Sequence, residues 1–189
     1  MYILLGIATS CRTHYYRYLN EASGKQKTHE LKPNEIYIFD NIPYHIGNLS
    51  GEQPSKKHIW NHDCLWSYIE LDYYYKDSLM YQYQYLVSME LYDNNKIHCK
   101  LIDSTGNVIR EKSKKFRKRK SPYLSIGSTD WDIYVLFNRY SSKNASLAIV
   151  NREDLIVLSE YSLGAFIGFF PFAGSNGYTS KTYRRVTQE

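Results

Sequence analysis

The chain has 189 residues and a formal net charge of +5, and 43% of its residues are hydrophobic. This length and composition predict one globular domain with a substantial core, and they exclude a disordered chain. The sequence contains no run of about 18 apolar residues, which excludes a membrane-spanning helix. Twenty tyrosines against seven phenylalanines give the apolar surface many hydroxyl groups, which suits strands and half-wet cavities.

The first eleven residues, MYILLGIATSC, form an apolar run that ends in small residues before Cys11. This order resembles the lipobox of a bacterial lipoprotein signal, which is cleaved ahead of a lipidated cysteine. A first, buried strand is the alternative, because a short apolar run does not distinguish the two. We expect residues 1–10 to be the signal, residues 11–33 to be a tether, and residues 34–189 to be one β-barrel domain.

Strand patterns dominate from residue 35 onward. EIYIFD alternates, and MYQYQYLVSMELY places Tyr81, Tyr83, Tyr85, Val87 and Met89 on one face of a long strand. The turn residues of YDNNKI and DSTGN separate this strand from IHCKLI and VIREK. Connections this short join antiparallel neighbours, so the pattern predicts an antiparallel meander.

The second half of the chain continues this pattern. We predict a strand SPYLSIG that ends at Gly127, a strand WDIYVLFN with Trp131 and Ile133 facing inward, and turns at YSSKNA and NRED. The apolar run GAFIGFFPFAG follows. About nine or ten short strands in total are typical of an all-β barrel or sandwich, and helix is expected only before residue 33.

The positive charge is concentrated in residues 110–120, REKSKKFRKRK, which hold eight basic residues and one acidic residue. The rest of the chain has 16 basic and 18 acidic residues, a net charge of −2. Such a run is a solvated loop, or it binds an anionic membrane or glycan surface, or it follows a phosphate backbone. Because Phe116 is its single aromatic residue, nucleic acid is the weakest of these alternatives. The residues predicted to bind an anionic surface are Lys114, Lys115, Arg117, Lys118, Arg119 and Lys120.

The sequence offers no pattern for catalysis or for a metal. It lacks the G-x-S-x-G, H-E-x-x-H, P-loop and G-x-G-x-x-G motifs, and its cysteines and histidines do not have the spacing of a zinc finger or ribbon. We therefore predict no catalytic residue, no metal and no cofactor. With Cys11 lipidated, Cys64 and Cys99 are an even pair, so a disulfide and two buried free thiols both stay open.

The stretch STDWDIYVLFNRYSSKNASLAIVNRE resembles the late strands of a lipocalin-type barrel. Thr129, Asp130 and Trp131 are similar to the Thr-Asp-Tyr motif that opens a strand in that family, and Arg152 has the place of the arginine that closes the barrel base. The meander YLVSMELYDNNKIHCKLIDSTGNVI is also similar to small lipocalin-like lipoproteins of bacteria. The resemblance implies a closed or nearly closed barrel with a ligand cavity or a partner surface.

Together these patterns predict an all-β domain whose single antiparallel meander closes into a lipocalin-like barrel, with a β-sandwich as the alternative. The expected function is non-enzymatic binding of a small amphipathic ligand or an envelope partner at the bacterial cell envelope, with a lipid anchor at Cys11. An intracellular nucleic-acid-binding β domain that uses residues 110–120 is the alternative function. The predicted inner wall, which could equally be a packed core, consists of Tyr81, Tyr83, Tyr85, Met89, Trp131 and Ile133.

Overall fold

The computed structural model describes residues 28–48, 64–70, 84–92, 95–118, 122–133, 137–150, 153–167 and 170–187. Within these ranges the chain forms eleven strands and one short helix. In chain order they are β1 (Thr28–His29), β2 (Ile36–Asp40), β3 (His45–Asn48), α1 (Leu65–Glu70), β4 (Leu86–Tyr92), β5 (Lys96–Ile102), β6 (Val108–Lys115), β7 (Arg117–Lys118), β8 (Leu124–Ile133), β9 (Phe137–Val150), β10 (Asp154–Ile167) and β11 (Phe170–Tyr183).

Two antiparallel sheets contain these strands. The larger sheet has the order β3-β11-β10-β9-β8-β7, and β1 pairs with the end of β9. The smaller sheet has the order β2-β4-β5-β6. Because β4 to β6 and β7 to β11 each pair with the next strand along the chain, the predicted all-β, antiparallel architecture is confirmed.

The two sheets are joined at two places. After β11 the chain pairs with β2, where the amide of Asp40 donates to the carbonyl of Arg184 (2.9 Å) and the amide of Val186 donates to the carbonyl of Ile38 (2.8 Å). At the second place only Phe116 separates β6 in the smaller sheet from β7 in the larger sheet. At each of these two places, which we call the corners, the chain runs directly from a strand of one sheet into a segment that pairs with the other sheet.

Both sheets face one hydrophobic core, and α1 lies within it. Burial alternates along β4 and β5, so that Val87, Met89 and Cys99 have no exposed surface. Five of the six residues of α1 are buried, and Leu65 and Trp66 belong to the same cluster as the inner faces of the strands. A helix of this length is not stable by itself in water, so its packing between the sheets stabilises it.

Asn41 fixes the beginning of α1 to the bend between β2 and β3. The amide of Leu65 donates to the Asn41 carbonyl (2.8 Å), and the amide of Trp66 donates to the Asn41 Oδ1 (2.9 Å). The first turn of a helix leaves such amides without partners in the helix, and Asn41, which is 1% exposed, supplies them from another element. The position of α1 is thus set by a residue more than twenty positions earlier in the chain.

The prediction that helix occurs only before residue 33 is wrong. The segment LWSYIE of α1 carries Trp66, Tyr68 and Ile69, which intrinsically favour strands. Burial on all sides and the cap from Asn41 outweigh that preference, which differs by only about 1 kcal/mol between residue types.

The strand β1 lies within residues 11–33, which the sequence predicts to be a tether. Thr28 and His29 of β1 pair with Val150 and Ile149 of β9. Leu31 is 2% exposed and belongs to the core cluster. Residues 1–27, which contain the predicted signal and Cys11, lie outside the described residues.

The predicted turn at YSSKNA lies instead inside β9. Ser142 pairs with Thr129 of β8 on one side and with Ser162 of β10 on the other. The serines, lysine and asparagine favour turns locally, but ladder hydrogen bonds to two neighbouring strands satisfy their backbone. The predicted strand WDIYVLFN is consequently wrong as well, because β8 ends at Ile133 and β9 begins at Phe137.

The predicted strand end at Gly127 is also wrong, because β8 continues through this glycine. Gly127 pairs with Asn144 of β9, and a Cβ on Gly127 would collide with the Asn144 side chain and lie 3.2 Å from the Lys143 carbonyl oxygen. The glycine therefore provides space for a neighbouring side chain. As a further consequence, the Thr129-Asp130-Trp131 motif lies in the middle of β8, whereas the lipocalin motif opens a strand.

Candidate functional site

The inner face of the smaller sheet changes from apolar to basic at its edge strand, β6. Residues directly opposite each other in neighbouring strands share one face of a sheet, so the strand register defines rows across the inner face. Three rows follow from the register: Phe39, Val87, Leu101 and Arg110; Tyr37, Met89, Cys99 and Lys112; and Leu91, Ile97 and Lys114. Each row is apolar or aromatic until β6, where it ends on a cation.

Burial along β6 agrees with this register. Arg110, Lys112 and Lys114 are half-buried, whereas Glu111 and Ser113, which alternate with them, are exposed. We call Arg110, Lys112 and Lys114 the basic row. Its three side chains occupy positions that a strand facing a core normally gives to apolar residues, so the chain places charge at the edge of its own core.

The carboxylate of Glu70, at the end of α1, faces the basic row. Its Oε1 lies 3.5 Å from Nη1 of Arg110, and the two side chains are 15% and 31% exposed. Burial and the neighbouring charge of Lys112 lower the pKa of Lys114, while the charge of Glu70 opposes that change. The cations of the row therefore repel each other in a partly dehydrated place, where an anion is stabilised.

Two buried side chains in the same interior each have a hydrogen-bond donor that is not satisfied. In the described part of the protein, Nε1 of Trp66 and Nδ2 of Asn41 have no acceptor, although both residues are 1% exposed. Buried donors are nearly always satisfied, by protein or by water. Among the described residues, these two atoms are therefore buried donors that the protein leaves unsatisfied.

A third strand contacts α1 through a buried cation. Lys181 of β11 is 4% exposed, and its ammonium donates a hydrogen bond to the hydroxyl of Tyr68. The ammonium also lies 4.8 Å from the centroid of the Tyr68 ring, a distance at which a cation is attracted to an aromatic face. The helix α1 is thus held by polar contacts from the bend after β2, from β6 and from β11.

The predicted inner wall falls partly within the described residues. Met89 has no exposed surface and lies in the core cluster, against which the half-buried Tyr85 packs. Trp131 and Ile133 lie in β8. Tyr81 and Tyr83 lie outside the described residues.

The residues predicted for an anionic surface are distributed over two faces. Lys114 belongs to the basic row, whereas Lys115, Arg117 and Lys118 are exposed. Arg119 and Lys120 lie outside the described residues. Residues 110–118 form β6 and β7, which only Phe116 separates, and not the solvated loop that the sequence also allowed.

The sequence interpretation missed Arg110, Lys112 and Glu70 as members of a site. A signal for the first two exists, because cations recur at every second position of REKSKK, the period of a strand with one basic face. No local signal identifies Glu70, since its contact with Arg110 joins residues 40 positions apart.

Cys64 and Cys99 are both buried thiols, and no disulfide joins them. Burial raises the pKa of Cys99 to about 12. No group of three metal-ligating side chains occurs in the part of the chain that the structure describes. In that same part, no helix is sufficiently long and apolar to cross a membrane.

Comparison with known proteins gives no relationship from which a function could be transferred. No family model, no curated protein and no solved structure matches this chain.

Proposed function

We propose that this protein is a non-enzymatic binding protein, in which the meander closes into a lipocalin-like barrel that holds a small amphipathic ligand. Closure is supported by the two corners, where residues 184–186 pair with β2 and where β6 continues into β7. At one corner β2 pairs with β4 on one side and with residues 184–186 on the other, and at the other corner the chain passes from β6 into β7, which pairs with β8. A meander that continues from one sheet into the other in this way has the strand order of an up-and-down barrel.

The observation that carries the binding function is the amphipathic inner face of the smaller sheet. Along each row the side chains change from aromatic or apolar in β2 and β4 to cationic in β6. Ligand sites combine apolar walls with a few polar groups that fix orientation. A ligand with an apolar tail and a polar head matches this order better than a wholly polar or wholly apolar one.

Native mass spectrometry of the protein purified from its host tests this function. We expect a bound mass the size of a small ligand in the wild type, and a loss of that mass in the Tyr83→Ala/Tyr85→Ala variant. The matched control is Tyr92→Ala, because Tyr92 lies at the other end of β4 and is 42% exposed. A wild-type spectrum without any bound mass would contradict the proposal.

We also propose that the protein is anchored to the bacterial envelope through a lipidated Cys11. The support is the order of residues in MYILLGIATSC, with small residues directly before the cysteine. The N-terminal mass of the protein from its host tests the anchor: a diacylglyceryl cysteine at position 11 is expected, and an intact Met1 contradicts it.

A second candidate function is binding of nucleic acid through the exposed cations of β6 and β7. Lys115, Arg117 and Lys118 are all exposed and lie within four residues of each other, and such clusters bind a phosphate backbone. Titration with single-stranded DNA at physiological salt separates the two functions. Binding that disappears in the Lys115→Gln/Arg117→Gln/Lys118→Gln variant supports this candidate, and a flat titration of the wild type removes it.

A further inference from the structure

We propose that one end of the larger sheet inserts into the interfacial region of a lipid bilayer, so that the protein has a membrane contact separate from Cys11. The contact consists of the strand ends at Ile133, Phe137, Ile167 and Phe170, which we call the apolar end. This inference goes beyond the proposed ligand binding, and it needs neither a ligand nor a lipidated cysteine.

The strand register brings the apolar end together from two hairpins, one between β8 and β9 and one between β10 and β11. Phe137 of β9 pairs with Ile167 of β10, and Ile167 pairs with Phe170 of β11. Ile133 ends β8 and pairs with Asn138, the residue after Phe137. Two segments that are distant in the sequence therefore reach the same end of the sheet.

The sequence of both segments lacks charge. Residues 133–137 are all apolar or aromatic, and residues 163–174 are apolar or aromatic apart from glycine and proline. The ends of hairpins usually carry Gly, Asn, Asp and Ser, because these residues form turns and the connections face water. Apolar and aromatic residues at both hairpins indicate an environment other than water.

The described core of the protein does not extend to the apolar end. Among the side chains that the structure describes, the buried hydrophobic residues nearest to it on β9 and β10 are Ala145 and Leu158. The two strands continue for eight and nine residues beyond these positions, to Phe137 and Ile167. This length corresponds to about 25–30 Å of strand, so the core clusters do not cover the apolar end.

The sheet has accessible surface close to the apolar end. Ala173 and Gly174 of β11 are exposed, and Gly164 and Phe166 of the neighbouring β10 are half-buried. Further along β10, in contrast, residues 155–158 are buried. An apolar phase can therefore approach the sheet at this end.

The residue types change in a fixed order along the sheet away from the apolar end. Asp132 and Arg139 are opposite each other in β8 and β9, so this position carries no net charge, and Trp131 is opposite Tyr140 at the next position. Tyr140 lies three residues from Phe137, about 10 Å along a strand. Trp and Tyr are enriched where a membrane meets water, and interfacial segments are buried about 5–10 Å deep. The order of residue types thus matches the order of the layers of a bilayer.

A bilayer fits the apolar end better than a protein partner does. Alternate residues of a strand lie on opposite faces of a sheet, so the adjacent Phe166 and Ile167 give both faces of β10 an apolar residue. A protein surface covers one face of a sheet, whereas a bilayer surrounds an inserted end on all sides. The insertion is interfacial, because strand edges in the hydrocarbon would leave backbone groups without partners.

The apolar end is also separate from the exposed cations of β6 and β7. Arg117 and Lys118 of β7 pair with Ser125 and Leu124, at the opposite end of β8 from Ile133. We therefore expect the membrane contact to be independent of anionic lipid, since electrostatic attraction to a membrane falls off within about one Debye length.

Flotation with vesicles of phosphatidylcholine tests the contact. The full-length Cys11→Ser variant, which we call the anchor-free protein, is expected to float with the vesicles. In this background Phe137→Ser/Phe170→Ser is expected to bind about tenfold or more weakly, because two apolar side chains are removed from the bilayer. Val108→Ser/Ile109→Ser is the matched control with unchanged binding, since these residues are 50% and 49% exposed in the smaller sheet.

Two further variants separate loss of the contact from loss of the fold. Phe137→Leu/Phe170→Leu is expected to retain vesicle binding, because leucine is also apolar. Lipids brominated close to the head group are expected to quench part of the tryptophan fluorescence of the bound anchor-free protein, and Trp131→Phe is expected to remove that part. Circular dichroism of each variant establishes that the fold is retained.

Three results would overturn the inference. One is absence of flotation by the anchor-free protein, or equal flotation of its Phe137→Ser/Phe170→Ser variant. Another is flotation that requires phosphatidylserine and is lost in Lys115→Gln/Arg117→Gln/Lys118→Gln, which would assign the contact to the exposed cations. The third is a dimer in solution that the phenylalanine variant abolishes, without vesicle binding, which would assign the apolar end to a second copy. Each of these results leaves the proposed ligand binding intact, because that function is read from a bound mass.

Discussion

At the scale of single residues, Asn41 decides where α1 begins. One buried side chain and its own carbonyl accept the amides of Trp66 and Leu65, so two backbone donors depend on this residue. The sequence around Asn41, DNIPYH, is typical of a loop. Its role as a helix cap arises only because the fold brings residue 65 to it.

Replacing Asn41 by alanine is expected to destabilise the protein by about 1–3 kcal/mol, because the buried Trp66 amide loses its acceptor. The measurement is urea unfolding followed by tryptophan fluorescence. Asn107→Ala is the matched control, since Asn107 is exposed in the turn between β5 and β6 and its loss is expected to cost less than about 0.5 kcal/mol. Equal destabilisation by both substitutions would contradict the assignment of Asn41 as the cap.

The two buried cysteines give a second prediction at this scale. Cys64 is 3% exposed and Cys99 is fully buried, and the thiolate is the reactive form. In a Cys11→Ser variant, a thiol reagent such as dithionitrobenzoate is expected to modify no cysteine at pH 8 until the protein is unfolded. Rapid modification of the native variant would show that one of these thiols is accessible.

The pKa of Cys99 predicts a loss of stability at alkaline pH. The thiol has a pKa of about 12 in the folded protein and an ordinary value of 9.0. Because the unfolded chain releases this proton first, the contribution is fully present below pH 9 and is lost as the pH rises from 9 to 12. We expect the free energy of unfolding to fall less steeply in Cys99→Ala than in the wild type over that interval, and equal slopes would contradict this.

At the scale of elements, the long strands β8 to β10 depend on pairing more than on local preference. Serine and asparagine residues that favour turns lie in the middle of β9, where they pair with β8 and β10. Opposite one of these residues, Asn144, β8 has a glycine, and the Asn144 side chain occupies the space beside Gly127. The course of a strand such as β9 can therefore be predicted only when the strands that pair with it are known.

A double-mutant cycle tests this packing between β8 and β9. Gly127→Ala is expected to destabilise the protein by about 1–3 kcal/mol, because the new Cβ collides with Asn144. In an Asn144→Ala background the same substitution is expected to cost less than half as much, with the Lys143 carbonyl contact accounting for the remainder. Chemical unfolding of the four proteins gives the coupling energy, and additive effects would contradict the proposed collision.

At the scale of the whole molecule, residues 184–186 connect the two sheets. Besides the two backbone hydrogen bonds to β2, Arg185 forms an ion pair with Glu35 at 3.2 Å and lies 4.9 Å from the centroid of the Tyr37 ring. These contacts cover one edge of the smaller sheet, and an uncovered edge is open to pairing with another chain.

Truncation after Tyr183 removes the contacts of residues 184–186 and is expected to lower the midpoint of urea unfolding. Hydrogen exchange of the Asp40 amide is expected to become faster, because its acceptor is the Arg184 carbonyl. The uncovered edge of β2 is also expected to favour self-association. Truncation after Thr187 is the control, since it keeps every contact of residues 184–186 with β2. Unchanged exchange at Asp40 in the shorter protein would mean that this corner does not hold the sheets together.

The sequence by itself determined the class of the fold and the strands of the first meander. Period-two alternation in β4 and β5, with turn residues between them, needs only local information, and the buried positions Val87, Met89 and Leu91 agree with it. The basic residues of 110–120 were equally visible. Their division into an inner row and an outer face depends on the strand register. The period of two in the sequence indicates that β6 has two different faces, but it does not show which face points to the core.

Only the tertiary structure decided the position of α1, the course of β9 and the contact of Glu70 with Arg110. Each depends on partners that are distant in the chain, such as Asn41 for Trp66 and β8 and β10 for Ser142. Local preferences differ by about 1 kcal/mol or less, whereas burial and a satisfied backbone contribute several times more over a whole element. Long-range contacts therefore outweigh local preference at these places, and they bring Glu70 to the basic row.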